Sequence, residues 1–316
     1  MQGIHIVATG RALPKKKATN QDLGRVVDTY DEWIVARTGI SQRHFCSKDE
    51  TCSGLAIEAA RKAVKQAVNK EGIDIEEIGV VVVATSTSDY ILPSTACLIQ
   101  KALGLSQEII AFDLSAACSG FLYGLQVCKG LLQQGNKKYA LLVGCEQLSR
   151  ILNFTDRSSC ILFGDGAGAA VIELDDSLFV HKSWSSGDIE PLSCRGVGFN
   201  NAKVVMDGKA VFKFATKALK QAVDEVLEKA DMTMDDVDYV ICHQANRRII
   251  EHVIKKFPEH EYKFYINIDK YANTSAASIP IVMDEMIEQK ILKPGMKVLA
   301  VGFGAGLTWG GALFKV

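Results

Sequence analysis

Long apolar runs are missing from the chain. The longest, residues 80–84, is far shorter than the roughly 20 residues that a membrane-spanning helix needs. Residues 1–14 also lack the apolar core that follows the charged start of a secretory signal peptide. We therefore predict that no segment spans a membrane and that the protein is cytoplasmic.

An excess of charge of either sign is missing as well. The 36 Lys and Arg residues nearly balance the 37 Asp and Glu residues, which gives a formal net charge of −1. No overall basic field would attract nucleic acid or an anionic membrane surface. We therefore expect neither as a partner.

Paired cysteines and common nucleotide-binding motifs are also lacking. None of the nine cysteines forms a C-x-x-C pair and the count is odd, which disfavours a disulfide framework and a structural zinc site. The glycine-rich segments 163–169 and 302–311 match neither the dinucleotide fingerprint nor the phosphate-binding loop, and no G-x-S-x-G elbow is present. We therefore predict no metal ion, and a nucleotide-cofactor site or a serine hydrolase is poorly supported.

Helical and strand-like patterns alternate along the chain, which is typical of an α/β protein. Apolar residues recur at helical spacing over residues 55–68 and again over residues 215–226. Each of these segments is followed by a strand-like run, at residues 78–85 and 237–242 respectively. The second unit therefore repeats the plan of the first.

A duplication accounts for this repeated plan. Residues 138–144 match residues 296–302 at almost the same offset as the other elements. Matched elements in the same order predict two similar halves, which we assign to residues 1–170 and 171–316. Because strand ends and the loops after them carry the chemistry of α/β folds, two packed halves would bring two sets of such ends to one interface.

Cys118 stands where a strand-like run passes into a helical pattern. The strand covers residues 109–114, and small residues lead through Cys118 to a helix that starts near Phe121. The thiol would then lie at a helix N-terminus, where a favourable dipole lowers a thiol pKa by roughly 1.5. Cys118 is the candidate nucleophile, although a buried and inert cysteine fits the same pattern.

Two polar residues in the second half follow strand-like runs in a similar way. His243 comes directly after residues 237–242, and Asn273 follows the strand-like run 265–268 through small residues. An asparagine in this place is either a helix N-cap or a neutral hydrogen-bond donor beside His243. A structural or simply exposed histidine is the alternative for His243.

Six stretches together resemble the β-ketoacyl synthase III family of the thiolase superfamily, from one end of the chain to the other. In one-letter code they are DEWIVARTGI (31–40), AACSGF (116–121), FGDGAGAA (163–170), HQAN (243–246), NTSAAS (273–278) and GLTWG (306–310). The resemblance implies an α/β fold of five αβαβα layers, made of two duplicated thiolase-like halves and normally present as a homodimer.

The resemblance also implies the first condensation of type II fatty-acid synthesis, with acyl-CoA as substrate and no cofactor. Cys118 would accept the acyl group, and malonyl-acyl carrier protein would then lose CO₂ so that its carbanion attacks the acyl carbonyl. His243 and Asn273 would hydrogen-bond the malonyl thioester oxygen as the enolate develops.

An oxyanion site for the acyl group is implied in the same way. The backbone N–H of Cys118 and one from the loop Gly304, Ala305 and Gly306 would hold the acyl oxygen. Ala305 departs from the three glycines that are usual in the family, so the conformation of this loop is an open question.

Substrate contacts follow from the same resemblance. Trp33 and Arg150 would clamp the adenine of coenzyme A, and Leu92 would cross the dimer interface to close the acyl pocket. The residues along the coenzyme A arm would be Arg37, Gly208, Phe212 and Asn246. The residues that would dock the acidic carrier protein are Lys213, Arg248, Lys255 and Lys256.

Other members of the superfamily fit less well. A degradative thiolase would have a second cysteine in residues 302–311, and an elongating synthase would have a second histidine where Asn273 stands. A related acyltransferase of secondary metabolism and a non-catalytic relative that binds acyl-CoA or carrier protein remain open. The preferred acyl group is also open, because residues 183–204 resemble the family least.

Overall fold

A computed structural model describes residues 2–196, 199 and 202–316 of the chain. The strands are β1 (Gly3–Ala12), β2 (Lys17–Thr19), β3 (Gln42–His44), β4 (Ile78–Ala84), β5 (Ile110–Leu114), β6 (Tyr139–Glu146), β7 (Gly166–Asp175), β8 (Phe179–Asp188), β9 (Leu192–Cys194), β10 (Val204–Met206), β11 (Tyr239–Cys242), β12 (Lys297–Gly304) and β13 (Gly306–Lys315). The α-helices are α1 (Asn20–Leu23), α2 (Asp31–Thr38), α3 (Cys52–Gln66), α4 (Thr95–Leu103), α5 (Gly120–Gln134), α6 (Arg157–Cys160), α7 (Gly208–Ala230), α8 (Arg247–Ile254), α9 (Ile268–Tyr271) and α10 (Ser278–Glu288).

One sheet carries most of the strands, in the order β11-β12-β13-β1-β7-β6-β4-β5, with β8 also paired to β13. In the first half, β4 runs parallel to β5 and β6, while β7 runs antiparallel to β6 and β1. In the second half, β11 runs parallel to β12, while β13 runs antiparallel to β12 and β8. The same pattern of pairing therefore occurs twice.

The repeated pattern bears on where one half ends. The division assigned from the sequence, after residue 170, lies inside β7, whose residues pair with both β1 and β6. The second set of strands begins with β8. We therefore propose that the first half ends with β7 and that the second begins with β8.

Helices cover the two sets of strands in layers. Helix α3 packs on β1, β6 and β7, and α7 packs on β8, β12 and β13. Helices α5 and α10 lie between the two sets, since α5 contacts β4 and β6 as well as β12 and β13, and α10 contacts β1 and β7 as well as β11. The order helix, strands, helix, strands, helix makes five layers.

Helix α3 shows why these residues form the outer layer. Thr51 caps its start by accepting a hydrogen bond from the backbone N–H of Gly54. Its buried face consists largely of alanine, including Ala59. A Cβ added at Gly10 of β1 would lie 2.5 Å from the Ala59 carbonyl oxygen, so small residues on both sides let helix and strand approach closely.

Most elements that the sequence indicates are present, with one exception. The run 265–268 is not a strand, because only Phe264 makes an isolated bridge to Val240 and helix α9 begins at Ile268. The backbone N–H of Asn267 donates to the Gln244 side chain at 3.1 Å instead of to a neighbouring strand. A side-chain acceptor has therefore replaced the strand partner.

Helix α7 is 23 residues long but alternates Lys and Glu with its apolar positions. In the part of the chain that the structure describes, no helix combines the length and the apolar character needed to cross a bilayer.

Candidate active site

Cys118 lies in the turn between β5 and α5. A short 3₁₀ turn, Ala117–Ser119, joins the two elements, and α5 begins at Gly120. Ala117 has a φ of 45°, which is uncommon for a residue with a side chain and costs backbone strain. The strand, turn and helix predicted around Cys118 are therefore present, with the strain at the residue just before the thiol.

The surroundings of the Cys118 thiol raise its pKa to about 12. Burial is the largest cause and the carboxyl group of Glu146 adds to it, whereas the Ser275 hydroxyl and the backbone N–H of Cys118 act in the opposite direction. The lowered pKa that the helix dipole alone predicts for this thiol is therefore wrong. The removal of water from around the thiol outweighs the effect of the dipole. The thiol needs a proton acceptor to react.

His243 follows β11 directly and is almost completely buried. Its backbone N–H donates to the Val301 carbonyl of β12 at 2.8 Å, which fixes the residue at the end of the sheet. Burial lowers the pKa of the imidazole to about 3, so the ring is neutral at physiological pH. The neutral His243 expected from the sequence agrees with this environment.

Hydrogen bonds to Ser278 determine which nitrogen of His243 carries the proton. Ser278 Oγ lies 2.6 Å from Nδ1 of His243 and accepts the backbone N–H of Gln244 at 3.3 Å. We assign the hydroxyl hydrogen of Ser278 to the contact with Nδ1, which places the imidazole proton on Nε2. Nε2 has no hydrogen-bond partner among the described residues.

Asn273 is held with its amide in a defined orientation. Its backbone N–H donates to the Leu162 carbonyl at 2.9 Å, and its Oδ1 accepts the backbone N–H of Ser275 at 2.8 Å. Because Oδ1 is engaged in this way, the NH₂ group is the part of the side chain left to donate. Asn273 is thus not an N-cap of α10, which begins five residues later at Ser278.

Cys118, His243 and Asn273 line one cavity of about 320 Å³. The three side chains reach it from separate segments of the chain, the first from the first half and the other two from the second. The structure therefore brings together the three residues that the sequence singles out for the chemistry.

The glycine loop between β12 and β13 touches the cysteine turn. A Cβ added at Gly304 would lie 2.8 Å from the Cys118 nitrogen and 3.2 Å from the Ser119 nitrogen. Gly306 has a φ of 140°, which a residue with a side chain rarely adopts. Ala305 has no positive φ, so its methyl group is compatible with the backbone at that position.

Trp33 lines the same cavity and is flanked by two guanidinium groups. The Cζ atoms of Arg37 and Arg157 each lie 5.0 Å from the centroid of the Trp33 ring. Such cation–π contacts are worth about 0.5–2 kcal/mol each and hold the ring in place. Trp33 and Arg37 are thus where the sequence predicts them, and Arg157 is an additional member.

Arg150, predicted as the partner of Trp33, lies elsewhere and does not line this cavity. Its guanidinium pairs with Asp89 and faces the carbonyl oxygens of Thr87 and Ser88 at 3.4 Å. The buried carboxylate of Asp89 holds Arg150 there, and Arg157 takes its place. Arg157 is the first residue of α6. The sequence could have indicated it, because the same segment contains this second arginine.

The other predicted coenzyme A contacts lie around the cavity as expected. Gly208, Phe212 and Asn246 all contribute to its wall. Nδ2 of Asn246 donates to the Arg37 carbonyl at 3.1 Å, and its Oδ1 caps α8. Asn246 therefore joins the second half to the segment that carries Trp33.

Leu92 projects from the surface of the described chain. It is 84% exposed, and the preceding residues Tyr90 and Ile91 are also exposed. Three consecutive large apolar side chains on one loop are typical of a contact surface. Its role across a dimer interface stays a prediction.

The basic residues predicted to dock a carrier protein are exposed on two helices and the turn after one of them. Lys213 lies on α7 and Arg248 on α8, where it also lines the cavity. Lys255 and Lys256 lie just beyond the end of α8 instead of on its helical face. Their docking role stays a prediction.

A second cavity of about 550 Å³ shares Cys118 and Phe163 with the first. Ser275 and Ala305 are among its other walls, together with part of segment 183–204. Within that segment β9 and β10 pair as a two-stranded sheet, and residues 197, 198, 200 and 201 lie outside the described residues. Trp33 lines only the first cavity.

Glu146 is a candidate that no sequence pattern singles out. Its side chain is fully buried at the end of β6. Thr87 Oγ1 donates to Oε2 at 2.5 Å, and Ser275 Oγ donates to Oε1 at 3.2 Å. Burial raises the pKa of this carboxyl group to about 7. The sequence feature that could have indicated Glu146 is an acidic residue at the end of an apolar run.

Metal ligands do not cluster near these residues. Over residues 2–196, 199 and 202–316, no group of three or more His, Cys, Asp or Glu side chains could hold a metal ion.

Comparison with known proteins identifies similar chains over the full length. The family model described as 3-oxoacyl-[acyl-carrier-protein (ACP)] synthase III C terminal matches residues 227–316, and the model for 3-oxoacyl-[acyl-carrier-protein (ACP)] synthase III matches residues 112–186. The β-ketoacyl-[acyl-carrier-protein] synthase III of Clostridium novyi is 42% identical and covers 100% of this chain and 99% of its own. That of Clostridium kluyveri is 43% identical and covers both chains completely.

Solved structures agree with these sequence matches. The 3-oxoacyl-[acyl-carrier-protein] synthase III of Aquifex aeolicus has a TM-score of 0.92 at 40% identity, over 99% of this chain and 100% of that one. The priming β-ketosynthase of the R1128 polyketide biosynthetic pathway has a TM-score of 0.90 at 31% identity, over 99% and 96%.

Proposed function

The chain belongs to the β-ketoacyl-[acyl-carrier-protein] synthase III family, and we propose that it performs the initiating condensation of fatty-acid synthesis through Cys118. The thiol displaces coenzyme A from an acyl-CoA and carries the acyl group as a thioester. Malonyl-acyl carrier protein then loses CO₂, and the carbanion attacks that thioester. The α/β thiolase-like fold and the family assigned from the sequence are confirmed by the comparisons.

The observation that carries this proposal is the pair of donors beside the cysteine. Nε2 of His243 bears a proton, is buried and has no hydrogen-bond partner among the described residues. The NH₂ group of Asn273 is turned to donate into the same cavity. Two preoriented neutral donors stabilise the negative charge that develops on the malonyl thioester oxygen when CO₂ leaves.

Acylation needs a second set of donors for the acyl oxygen. The backbone N–H of Cys118 is close to Gly304, and the turn through Ala305 and Gly306 lies beside it. We assign the oxyanion site to the N–H of Cys118 and one N–H of this loop. No side chain at Gly304 blocks the approach of the acyl oxygen.

The substrate arm would enter from the side of Trp33. The indole, stacked between Arg37 and Arg157, offers a flat face for an adenine ring, and the two guanidinium groups suit its phosphates. Gly208 and Asn246 line the way from there to Cys118. The reaction uses no cofactor in this scheme, because coenzyme A enters as part of the substrate.

Partners and location are part of the same proposal. We assign carrier-protein docking to the exposed basic residues near the cavity, since they would attract an acidic partner. These residues are Lys213, Arg248, Lys255 and Lys256. We also propose a cytoplasmic homodimer in which the exposed Leu92 of each subunit reaches the acyl cavity of the other.

A related priming role in secondary metabolism is the second candidate. The likeness to a priming ketosynthase of a polyketide pathway favours it, because the same cysteine chemistry would serve both roles. The identity of the acyl group distinguishes the two, and the second cavity next to Cys118 determines which acyl groups fit.

The mass of the intact protein after incubation with a panel of acyl-CoAs tests this function. We expect a single addition equal to one acyl group, and its loss in Cys118→Ala. The acyl-CoA that reacts fastest would identify the primer. Acylation that persists in Cys118→Ala would rule out the assigned nucleophile, and a wild-type protein that no acyl-CoA acylates would favour the non-catalytic relative.

A further inference from the structure

Building on the proposed function, we propose that Ser275 and Glu146 take the thiol proton of Cys118 during acylation and return it after condensation. Ser275 would pass the proton, and Glu146 would hold it for the lifetime of the acyl-enzyme.

Ser275 lies beside the turn that carries the thiol and bonds to the carboxyl group of Glu146. Its 3₁₀ turn, Ser275–Ala277, packs against the turn that carries Cys118, and both side chains line the second cavity. Its Oγ donates to Oε1 of Glu146 at 3.2 Å. A hydroxyl group in this place can accept the thiol proton on its oxygen while it gives up its own hydrogen to Glu146.

The backbone of Ser275 is strained in the orientation that this transfer requires. Its φ is 52°, a left-handed conformation that serine rarely adopts. The hydrogen bond from its N–H to Oδ1 of Asn273 holds it there. Ala117 has a φ of 45°, so each of the two turns that pack together here contains a strained residue, a pattern that clusters at functional sites.

Glu146 accepts hydrogen bonds from donors besides Ser275. Thr87 Oγ1 donates to Oε2, and the backbone N–H of Ser86 lies 3.2 Å from each carboxyl oxygen. A buried carboxyl group needs such partners in both its charged and its neutral form. These donors fix Oε1 toward Ser275.

The acidity of Glu146 suits a group that both accepts and returns a proton near neutral pH. Burial raises its pKa to about 7, and the neighbouring carboxylate of Asp165 adds to the effect. The other titratable groups around it are the thiols of Cys118 and Cys145, and burial raises the pKa of both above the usual value.

His243 is poorly suited to accept this proton. Its Nδ1 is occupied by the Ser278 hydroxyl, and its Nε2 already carries the ring proton. Burial without a carboxylate partner makes a second proton on the ring unfavourable. The imidazole therefore donates in the malonyl step and leaves the thiol proton to another group.

The proton balance closes over one turnover. In acylation the S–H bond of Cys118 breaks, the sulfur forms a bond to the acyl carbon, and the proton passes through Ser275 to Glu146 while coenzyme A leaves as a thiolate. In condensation the malonyl group loses CO₂, its carbanion forms the new carbon–carbon bond, and Cys118 leaves as a thiolate. Glu146 then returns the proton to that sulfur, and solvent protonates the released coenzyme A.

Single-turnover acylation, measured by intact mass between about pH 5 and about pH 9, tests this role. In the wild type the rate should rise through a midpoint near the Glu146 pKa of about 7, because only the ionised carboxylate accepts a proton. In Glu146→Gln we expect acylation at neutral pH to fall about 100-fold. The acylation rate of this variant should rise with pH but show no midpoint near the Glu146 pKa. Ser275→Gly, which suits the positive φ, should behave in the same way.

A matched control separates proton transfer from loss of a buried carboxylate. Glu285 is also buried, pairs with Lys270 and is held by Asn267 and Tyr265, and no part of it lines either cavity. Glu285→Gln should keep the wild-type pH profile. Acylation should also produce the infrared band of a protonated carboxyl group in the wild type and in Glu285→Gln, but not in Glu146→Gln.

Two results would overturn the relay. One is a Glu146→Gln protein that keeps the wild-type midpoint, and the other is a loss by the same factor at every pH, which indicates a structural role only. Decarboxylation of malonyl-CoA by the same variants should be unchanged, since His243 and Asn273 perform it. If the wild type is not acylated on Cys118 at any pH, the proposed function has failed instead of the relay.

Discussion

The hydroxyl of Ser278 lies 2.6 Å from Nδ1 of His243 and determines which side of the imidazole faces the cavity as a donor. Ser278 is the first residue of α10, so the start of a central helix sets the tautomer of a residue at the end of β11. A carboxylate or carbonyl in this place would accept a proton from Nδ1, whereas a donating serine holds the opposite tautomer and adds no charge.

Ser278→Ala tests this arrangement. Without the hydroxyl the ring can carry its proton on either nitrogen, so we expect malonyl-CoA decarboxylation to slow by about 10- to 100-fold. Acylation of Cys118 should stay close to the wild-type rate, and both are measured on the same preparation. An equal loss in the two half-reactions would mean that Ser278 mainly supports the fold.

The NH₂ group of Asn273 should matter for the malonyl step alone. Asn273→Asp keeps the oxygen that accepts the Ser275 N–H but loses the NH₂ donor. We expect decarboxylation to fall by about 100- to 1,000-fold, as for loss of one oxyanion donor, with acylation largely preserved. Asn273→Ala removes both functions and should also slow acylation, because it releases Ser275. If Asn273→Asp decarboxylates normally, the amide is not the donor.

Arg157 and Arg150 offer a matched pair for the coenzyme A site. Arg157→Ala removes a guanidinium from the Trp33 ring, so the KM for acyl-CoA should rise by about 10-fold with little change in kcat. Arg150→Ala removes the ion pair with Asp89 and should leave the KM unchanged. Steady-state kinetics with acyl-CoA as the varied substrate checks both. If Arg150→Ala raises the KM and Arg157→Ala does not, then Arg150 is the residue that binds the adenine together with Trp33.

The glycine loop makes a prediction about two adjacent positions. A methyl group at Gly304 would lie 2.8 Å from the Cys118 nitrogen, so Gly304→Ala should move the cysteine turn and abolish acylation. Ala305→Gly should keep activity and reduce the free energy of unfolding by no more than about 1 kcal/mol, because Ala305 has no positive φ. Thermal unfolding and the acylation rate, measured together, distinguish the two. Loss of acylation in Ala305→Gly would contradict this assignment.

Local patterns were enough to predict the elements around the chemistry. Cys118 and His243 each follow an apolar run, β5 and β11 respectively, and recognising these runs depends only on sequence periodicity. Arg157 was missed because its neighbour Arg150 has the same side chain. Only the buried Asp89, distant in sequence, decides which arginine faces Trp33.

Long-range burial explains the rest of what the sequence does not reveal. The helix dipole predicts an acidic thiol at Cys118, but the packing of both halves around it removes water and reverses the shift. Glu146 belongs to a strand that looks uniformly apolar, and its partner Ser275 comes from the other half of the chain. Neither effect is encoded within one stretch of residues.

Small residues where β4, β6, α5 and the turn Ser275–Ala277 meet leave no space for larger side chains. A Cβ at Gly144 would lie 2.2 Å from the Ala276 carbonyl oxygen, and one at Gly120 would lie 2.8 Å from the Ala84 Cβ. Both contacts lie within a few residues of Cys118, Glu146 and Ser275. A larger residue at Gly144 would therefore change the catalytic rate by shifting the second half of the chain against the first, so activity reports how closely the two halves pack.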